Sequence, residues 1–90
     1  MYNILISENL QRILRKVYKK NRNLYEICMK KIEEIVQNPK HYKPLRYDLK
    51  NIRSVHIIRS FILVFRIENN TIKFLDLDHH DKIYRKRFDF

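Results

Sequence analysis

The stretch Phe61-Ile62-Leu63-Val64-Phe65-Arg66-Ile67-Glu68-Asn69-Asn70-Thr71-Ile72-Lys73-Phe74-Leu75-Asp76-Leu77 decides the fold. Its first five residues are apolar without a break, so a strand formed there has two buried faces and belongs in the middle of a sheet. Asn69-Asn70 then supplies two residues that tolerate positive φ, enough for a two-residue hairpin loop. Beyond it Ile72 and Phe74 alternate with Lys73, the pattern of a strand with one buried face. Upstream, Ser54, Val55, His56, Ile57 and Ile58 form a further strand-like segment. The last third therefore predicts a three-stranded antiparallel meander over residues 54–58, 61–67 and 71–77.

Working outward to the N-terminus, Tyr2, Ile4 and Ile6 alternate with Asn3 and Leu5 in a short first strand. Ser7 is a helix N-cap, with Glu8 in the first turn where the helix dipole favours an anion. Leu10, Ile13, Leu14 and Val17 recur at helical spacing, and Arg12, Arg15, Lys16, Lys19 and Lys20 fill the other face. This predicts a basic amphipathic helix over 8–20. Asn21 and Asn23 bracket a tight turn, and Asn23 followed by Glu26 reads as a capping box that opens a second helix. Its apolar stripe is Leu24, Ile27, Cys28, Ile32, Ile35 and Val36, and Asn38-Pro39 ends it. So short a joint makes the two helices an antiparallel hairpin. From 40 to 53 periodicity is lost, leaving a long loop rich in cations and tyrosines, and loops of that length often carry function. The expected architecture is one α+β domain over 1–90. It has an N-terminal strand, the two-helix hairpin and the meander, giving a four-stranded sheet with helices on one face and a short basic C-terminal tail.

Charge narrows the partners. Twenty Lys and Arg against ten Asp and Glu leave a formal net charge of +10 and a pI near 10.0, which calls for nucleic acid, an anionic membrane or an acidic protein. No apolar run approaches the ~20 residues of a spanning helix. The first residues also lack the charged and long apolar regions of a signal peptide, so no membrane and a cytoplasmic location are expected. Glycine is absent, which excludes Gly-rich phosphate loops and dinucleotide fingerprints. Cys28 is alone, so no internal disulfide or thiolate metal cluster is available, and its place on an apolar helix face reads as core.

Histidine is the side chain best suited to trade protons near neutral pH, and four are present, at 41, 56, 79 and 80. His56 has neighbours, Val55 and Ile57, that point to the opposite face, so it shares its own face with Ser54 and Ile58. If the helices cover Val55 and Ile57, His56 lies on the open side; otherwise it is a structural histidine bonded to backbone. His79 and His80 close the last strand beside Asp76, Asp78 and Asp81. Metal binding there lacks a spaced third ligand, because adjacent strand residues face opposite ways, and no metal or cofactor is expected. One of the two rings is expected to face a site and the other to face away. Tyr84 is a phenol that can stack on a base or donate a hydrogen bond. The cations of the first helix read either as a solvated face or as an RNA surface. Lys43, Arg46, Lys50, Arg53, Arg59 and Arg66, nearer the histidines, are candidates to neutralise a phosphate, with His79 as a further contact. Ser7, Ser54, Ser60 and Cys28 lack the surroundings of a nucleophile.

Several segments in order resemble the RelE/ParE superfamily of toxins from type II toxin–antitoxin systems: Lys30 to Ile35 leading to Asn38-Pro39, Lys43-Pro44-Leu45, Ser54-Val55-His56-Ile57, Phe61 to Ile67, and Asp78-His79-His80-Asp81-Lys82-Ile83-Tyr84. The resemblance spans nearly the whole chain. It implies a RelE-like fold and a ribosome-dependent mRNA endoribonuclease, in which the RNA 2′-hydroxyl attacks the adjacent phosphate without a metal. The cation-based catalytic set of RelE is matched poorly, since Ser54, His56 and Ile62 stand where some of those cations belong, although Tyr84 matches its tyrosine. The histidine-based YafQ branch is matched better, with His56 and His80 on its catalytic histidines. Lys43 stands where YafQ has another histidine, and Ser60 where it has an aspartate. The resemblance thus assigns His56, His80 and Tyr84 to catalysis. It implies two partners, an acidic, partly disordered antitoxin of RelB-like or similar type and mRNA in the ribosomal A site. Two other readings stand beside it: a ParE-type inhibitor that binds DNA gyrase without cutting, and a basic RNA-binding module with no activity.

Overall fold

The computed structural model describes residues 2–44 and 52–86. Strand β1 (Asn3–Ile6) leads into helices α1 (Glu8–Lys20) and α2 (Arg22–Gln37), followed by strands β2 (Ile52–His56), β3 (Phe61–Glu68) and β4 (Thr71–His79) and a single turn of helix, α3 (His80–Ile83). The sheet order is β1-β4-β3-β2, with β1 parallel to β4 and the other pairs antiparallel. The uninterrupted apolar run does sit inside the sheet, with Ile62, Leu63, Val64 and Phe65 all buried. Asn69-Asn70 makes the predicted hairpin between Glu68 and Thr71, and Asn69 takes the positive φ, 52°.

Local caps fix how the helices meet the sheet. The Ser7 hydroxyl accepts from the Leu10 N–H and donates to the Leu75 carbonyl, so the start of α1 is pinned to β4. Asn21, not Asn23, opens α2: its side chain accepts from the Leu24 N–H while its own N–H closes α1 on the Val17 carbonyl. One extended residue therefore serves as the cap of both helices, and α2 begins at Arg22.

Both helices lie on one side of the sheet. Leu10 and Leu14 of α1 and Leu24, Cys28, Ile32 and Ile35 of α2 pack with Leu63, Phe65, Phe74 and Leu77. The other face is not bare. Ile52, Ile62, Val64, Leu75 and Ile83 form a second, smaller core there, closed by α3. A bulge on β4 helps to build it, since the register passes from Val64↔Asp76 to Phe65↔Phe74 and leaves Leu75 as the extra residue.

The strand boundaries that differ most from expectation are those of β2 and the end of β4. β2 covers 52–56 rather than 54–58, because residues 57–60 turn back: Ile57 N–H bonds the Phe61 carbonyl, Phe61 N–H bonds the Ile58 carbonyl, and Arg59 adopts φ 53°. Ile58 accordingly packs against the helix-side core instead of sharing the face of His56. At the other end β4 runs on to His79 before α3 begins. Among the described residues no helix is long and apolar enough to cross a membrane.

Candidate active site

His56 pairs with Ile62 and Ile62 with Asp78, so the three form one cross-strand row. Residues paired across a sheet share a face, and the burial of Ile62 in the second core puts that row on the side away from the α1–α2 layer. Val55 and Ile57 pack on the helix side, and His56 is exposed on the opposite one.

The adjacent histidines part company at the end of β4. His79 pairs with Phe61; its ring lies 4.3 Å from that of Phe61 and its Nδ1 3.0 Å from the Ser60 hydroxyl. His80 is the first residue of α3, and its N–H donates to the Ser60 carbonyl at 2.7 Å. Ser60 thus stitches the β2–β3 turn to the β4–α3 junction. The stitch brings the His56 and His80 rings to 6.3 Å, centre to centre. Four residues along one helical turn, Tyr84 falls on the same face as His80, with its ring 4.5 Å away, edge-on, and exposed. The His80 Nδ1 is 3.6 Å from the Asp81 carboxylate, an electrostatic contact beyond hydrogen-bond range.

Two anchors hold α3 down. Ile83 is fully buried in the second core. Lys86 donates to the carboxylates of Asp76 at 2.6 Å and Asp78 at 2.9 Å. Asp76 is itself buried and also accepts from Asn9 Nδ2 and the Leu77 N–H. Burial works against the Asp78 anion, but hydrogen bonds from Lys86 and the His79 N–H, with the charges of Lys86 and Lys82, prevail and hold its carboxyl below the usual range. Burial likewise opposes the Lys86 ammonium, and the two carboxylates outweigh it and raise its pKa.

The predicted cations disperse. Lys43 follows the 3-10 turn Pro39–His41; its carbonyl accepts from the Ser54 N–H, and the Pro44↔Arg53 bridge sets Lys43 opposite Ser54 at the outer edge of β2. Ser54 is two residues before His56 on the same face. Arg53 points to the other side and donates to the Tyr42 carbonyl, an architectural contact. Arg66 shares the open face but lies four residues along β3 from Ile62, about 13 Å away, and is engaged by Glu68. Arg59 is exposed in the turn after β2. Arg46 and Lys50 lie outside the described residues. The structure therefore gathers His56, His80 and Tyr84, pairs the backbone of Lys43 with Ser54 on the strand that carries His56, and leaves Arg53, Arg66 and His79 off the cluster. Sequence reading missed Ser60, Asp76, Asp78 and Lys86 as the supports of this cluster; the one legible signal was that Asp76 and Asp78 stand beside the histidines. Among the described residues no three His, Cys, Asp or Glu are grouped to hold a metal ion.

Comparison with known proteins places this geometry in a family. Residues 4–84 match the family described as the ParE toxin of type II toxin–antitoxin systems, parDE. A protein of Methanocaldococcus jannaschii, provisionally named toxin RelE4, is 47% identical over 89 residues, covering 97% of this chain and 95% of the relative. Among solved structures, the YoeB/ParE toxin from Agrobacterium tumefaciens superposes with a TM-score of 0.78 at 13% identity, covering 87% of this chain and 98% of that one. A chain of the E. coli DinJ–YafQ complex superposes at 0.77 and 14%, covering 93% and 99%. These two share the fold. By the family match and the archaeal relative, the chain belongs to the RelE/ParE superfamily of type II toxin–antitoxin toxins.

Proposed function

We propose that this toxin is a ribosome-dependent mRNA endoribonuclease and that His56 and His80 divide the proton transfers. The supporting observation is the pair of exposed imidazoles 6.3 Å apart, His56 at the end of β2 and His80 at the start of α3, with the Tyr84 ring against His80. In the reaction the 2′-hydroxyl oxygen forms a bond to the adjacent phosphorus while the bond from phosphorus to the 5′-oxygen breaks. One imidazole takes the 2′-hydroxyl proton and the other, as imidazolium, protonates the departing 5′-oxygen. The products are a 2′,3′-cyclic phosphate and a free 5′-hydroxyl. The attacking and departing oxygens lie on opposite sides of phosphorus, so two rings at this separation can each reach one of them at about 2.6–3.2 Å. Tyr84 offers a face for a neighbouring base, and Lys43, with Arg46, Lys50 and Arg59, supplies positive charge for the phosphate. Arg66 and His79, off the cluster, serve the nucleotides that flank the scissile phosphate.

A partner follows from the family description, which pairs each toxin with an antitoxin. An acidic antitoxin suits a chain of net charge +10. Cytoplasmic action, on mRNA in the ribosomal A site, belongs to the same reading. The family match also favours a second reading, non-catalytic inhibition of DNA gyrase in the ParE manner. Primer extension on translated mRNA separates the two when run beside a gyrase supercoiling assay. Codon-phased cuts with unimpaired supercoiling support the nuclease, and the reverse result supports the inhibitor.

A further inference from the structure

β1 pairs with β4 only as far as Ile6↔Phe74, so among the described residues no strand flanks β4 on that side from Leu75 on. The first turn of α1 takes hold of β4 there through two side chains. The Ser7 hydroxyl donates to the Leu75 carbonyl at 2.7 Å, and half-buried Asn9 donates from Nδ2 to Asp76 Oδ1 at 3.1 Å. Both anchors of α3 use the same two residues. Leu75, the bulge residue, shares the second core with Ile83, and Asp76 Oδ2 accepts from Lys86 at 2.6 Å. One bulge therefore carries the start of α1 and also the turn that holds His80 and Tyr84.

The buried Asp76 carboxylate is the joint between them. With little water in reach, its orientation is set by its protein donors. Oδ1 takes two, Asn9 and the Leu77 N–H at 2.8 Å, which leaves Oδ2 turned toward Lys86. Without the Asn9 amide, Oδ1 keeps a single donor. The Lys86 ammonium, which has three protons to place, then swings toward it and away from Asp78, its second partner. α3 cannot resist that shift by itself, since its four residues fall far below the length at which a helix stands alone. α1 is better secured, because the Ser7 cap and buried Leu10 and Leu14 still seat it. We infer that Asn9 is a positioning residue for RNA cleavage, acting through Asp76 and Lys86 on the turn that carries His80 and Tyr84. The inference rests on the nuclease reading.

The test compares the full-length wild type, N9L, K86M and N9L/K86M on mRNA-programmed ribosomes, at a temperature where all four are folded. Leucine keeps the branching of asparagine and removes its donor. N9L is expected to lower the maximal single-turnover rate about tenfold and to leave the half-saturating toxin concentration unchanged. Because both residues act along one path, N9L/K86M should cleave no more slowly than K86M. In 15N–1H spectra, which need no ribosome, N9L should move the amide signals of His80 and Tyr84 while those of α2 stay in place. Full cleavage by N9L overturns the inference, as does an effect confined to the half-saturating concentration or a double variant whose losses multiply. Unmoved His80 and Tyr84 signals overturn the positioning itself. Absence of cuts from the wild type overturns the nuclease reading on which it rests, and the spectra tell the two failures apart.

Discussion

Lys86 reaches back to place its ammonium 2.6 Å from the carboxylate of Asp76, and this contact holds down the helical turn that carries His80 and Tyr84. Asp76 is 3% exposed, so Lys86→Met leaves a buried anion short of a partner, at a cost of about 1–3 kcal/mol. In a domain this small that lowers Tm by roughly 4–8 °C per kcal/mol. RNA cleavage at a temperature where the variant is still folded is expected to fall about tenfold or more, because a misplacement near 1 Å costs that much or more. Lys86→Arg should restore most of both. Thermal melts and single-turnover cleavage check it; a destabilised Lys86→Met with full cleavage would show that the clasp does not position the site.

The same clasp sets a pH window. The Asp78 pKa is lowered on folding from 3.8, so its contribution is complete above that value and is lost as pH falls through the lower folded value. The Lys86 pKa is raised from 10.5, so its contribution is complete below 10.5 and is lost as pH rises through the higher folded value. Wild type and Asp78→Asn should therefore differ most in urea-denaturation midpoint across the neutral range and converge at acid pH. A gap that stays constant down to strong acid contradicts the assignment.

Tyr84 separates stacking from proton transfer. Tyr84→Phe keeps the ring beside His80 and is expected to retain most cleavage. Tyr84→Ala removes a base platform worth about 1–3 kcal/mol, a loss of roughly tenfold to a hundredfold. Equal inactivity of the two variants would assign the role to the hydroxyl.

Cys28 is fully buried and its thiol is pushed up to about 11 by burial. It should resist thiol-labelling reagents at neutral pH in the folded protein and react promptly in denaturant. Cys28→Ser, which puts a hydroxyl among apolar side chains, is expected to cost about 1–3 kcal/mol in a denaturant titration. Rapid labelling of the native chain would contradict the packing of α2.

Much of this architecture is legible in the residues because it rests on short-range rules. The apolar run Phe61–Phe65 fixed a central strand, Asn69-Asn70 fixed the hairpin, and the alternation around Val55 and Ile57 set the face of His56. What could not be read depends on contacts between distant segments. α3 is four residues long, too short for any periodicity to register. Its hold on the sheet comes from Lys86 and Asp76, which no local pattern joins. Ser60 was visible only as a serine without a nucleophile's setting, although its two polar atoms tie His79 and His80 to the turn. The two-sided Asn21 cap was missed because Asn23 offered an equally good signal two residues later. The cations were the least legible: Arg53 and Arg66 looked available, and the fold commits them to Tyr42 and Glu68.

The account stands on two imidazoles acting on one phosphodiester. The most direct measurement is primer extension on mRNA in a translating extract, with wild type, H56A, H80A and H56A/H80A compared under conditions where all four are folded. Each single substitution should depress cleavage by about a hundredfold or more, and the double variant should be little worse than either single one, as for residues that work as a unit. Codon-phased cuts of wild-type intensity from H56A/H80A would contradict it.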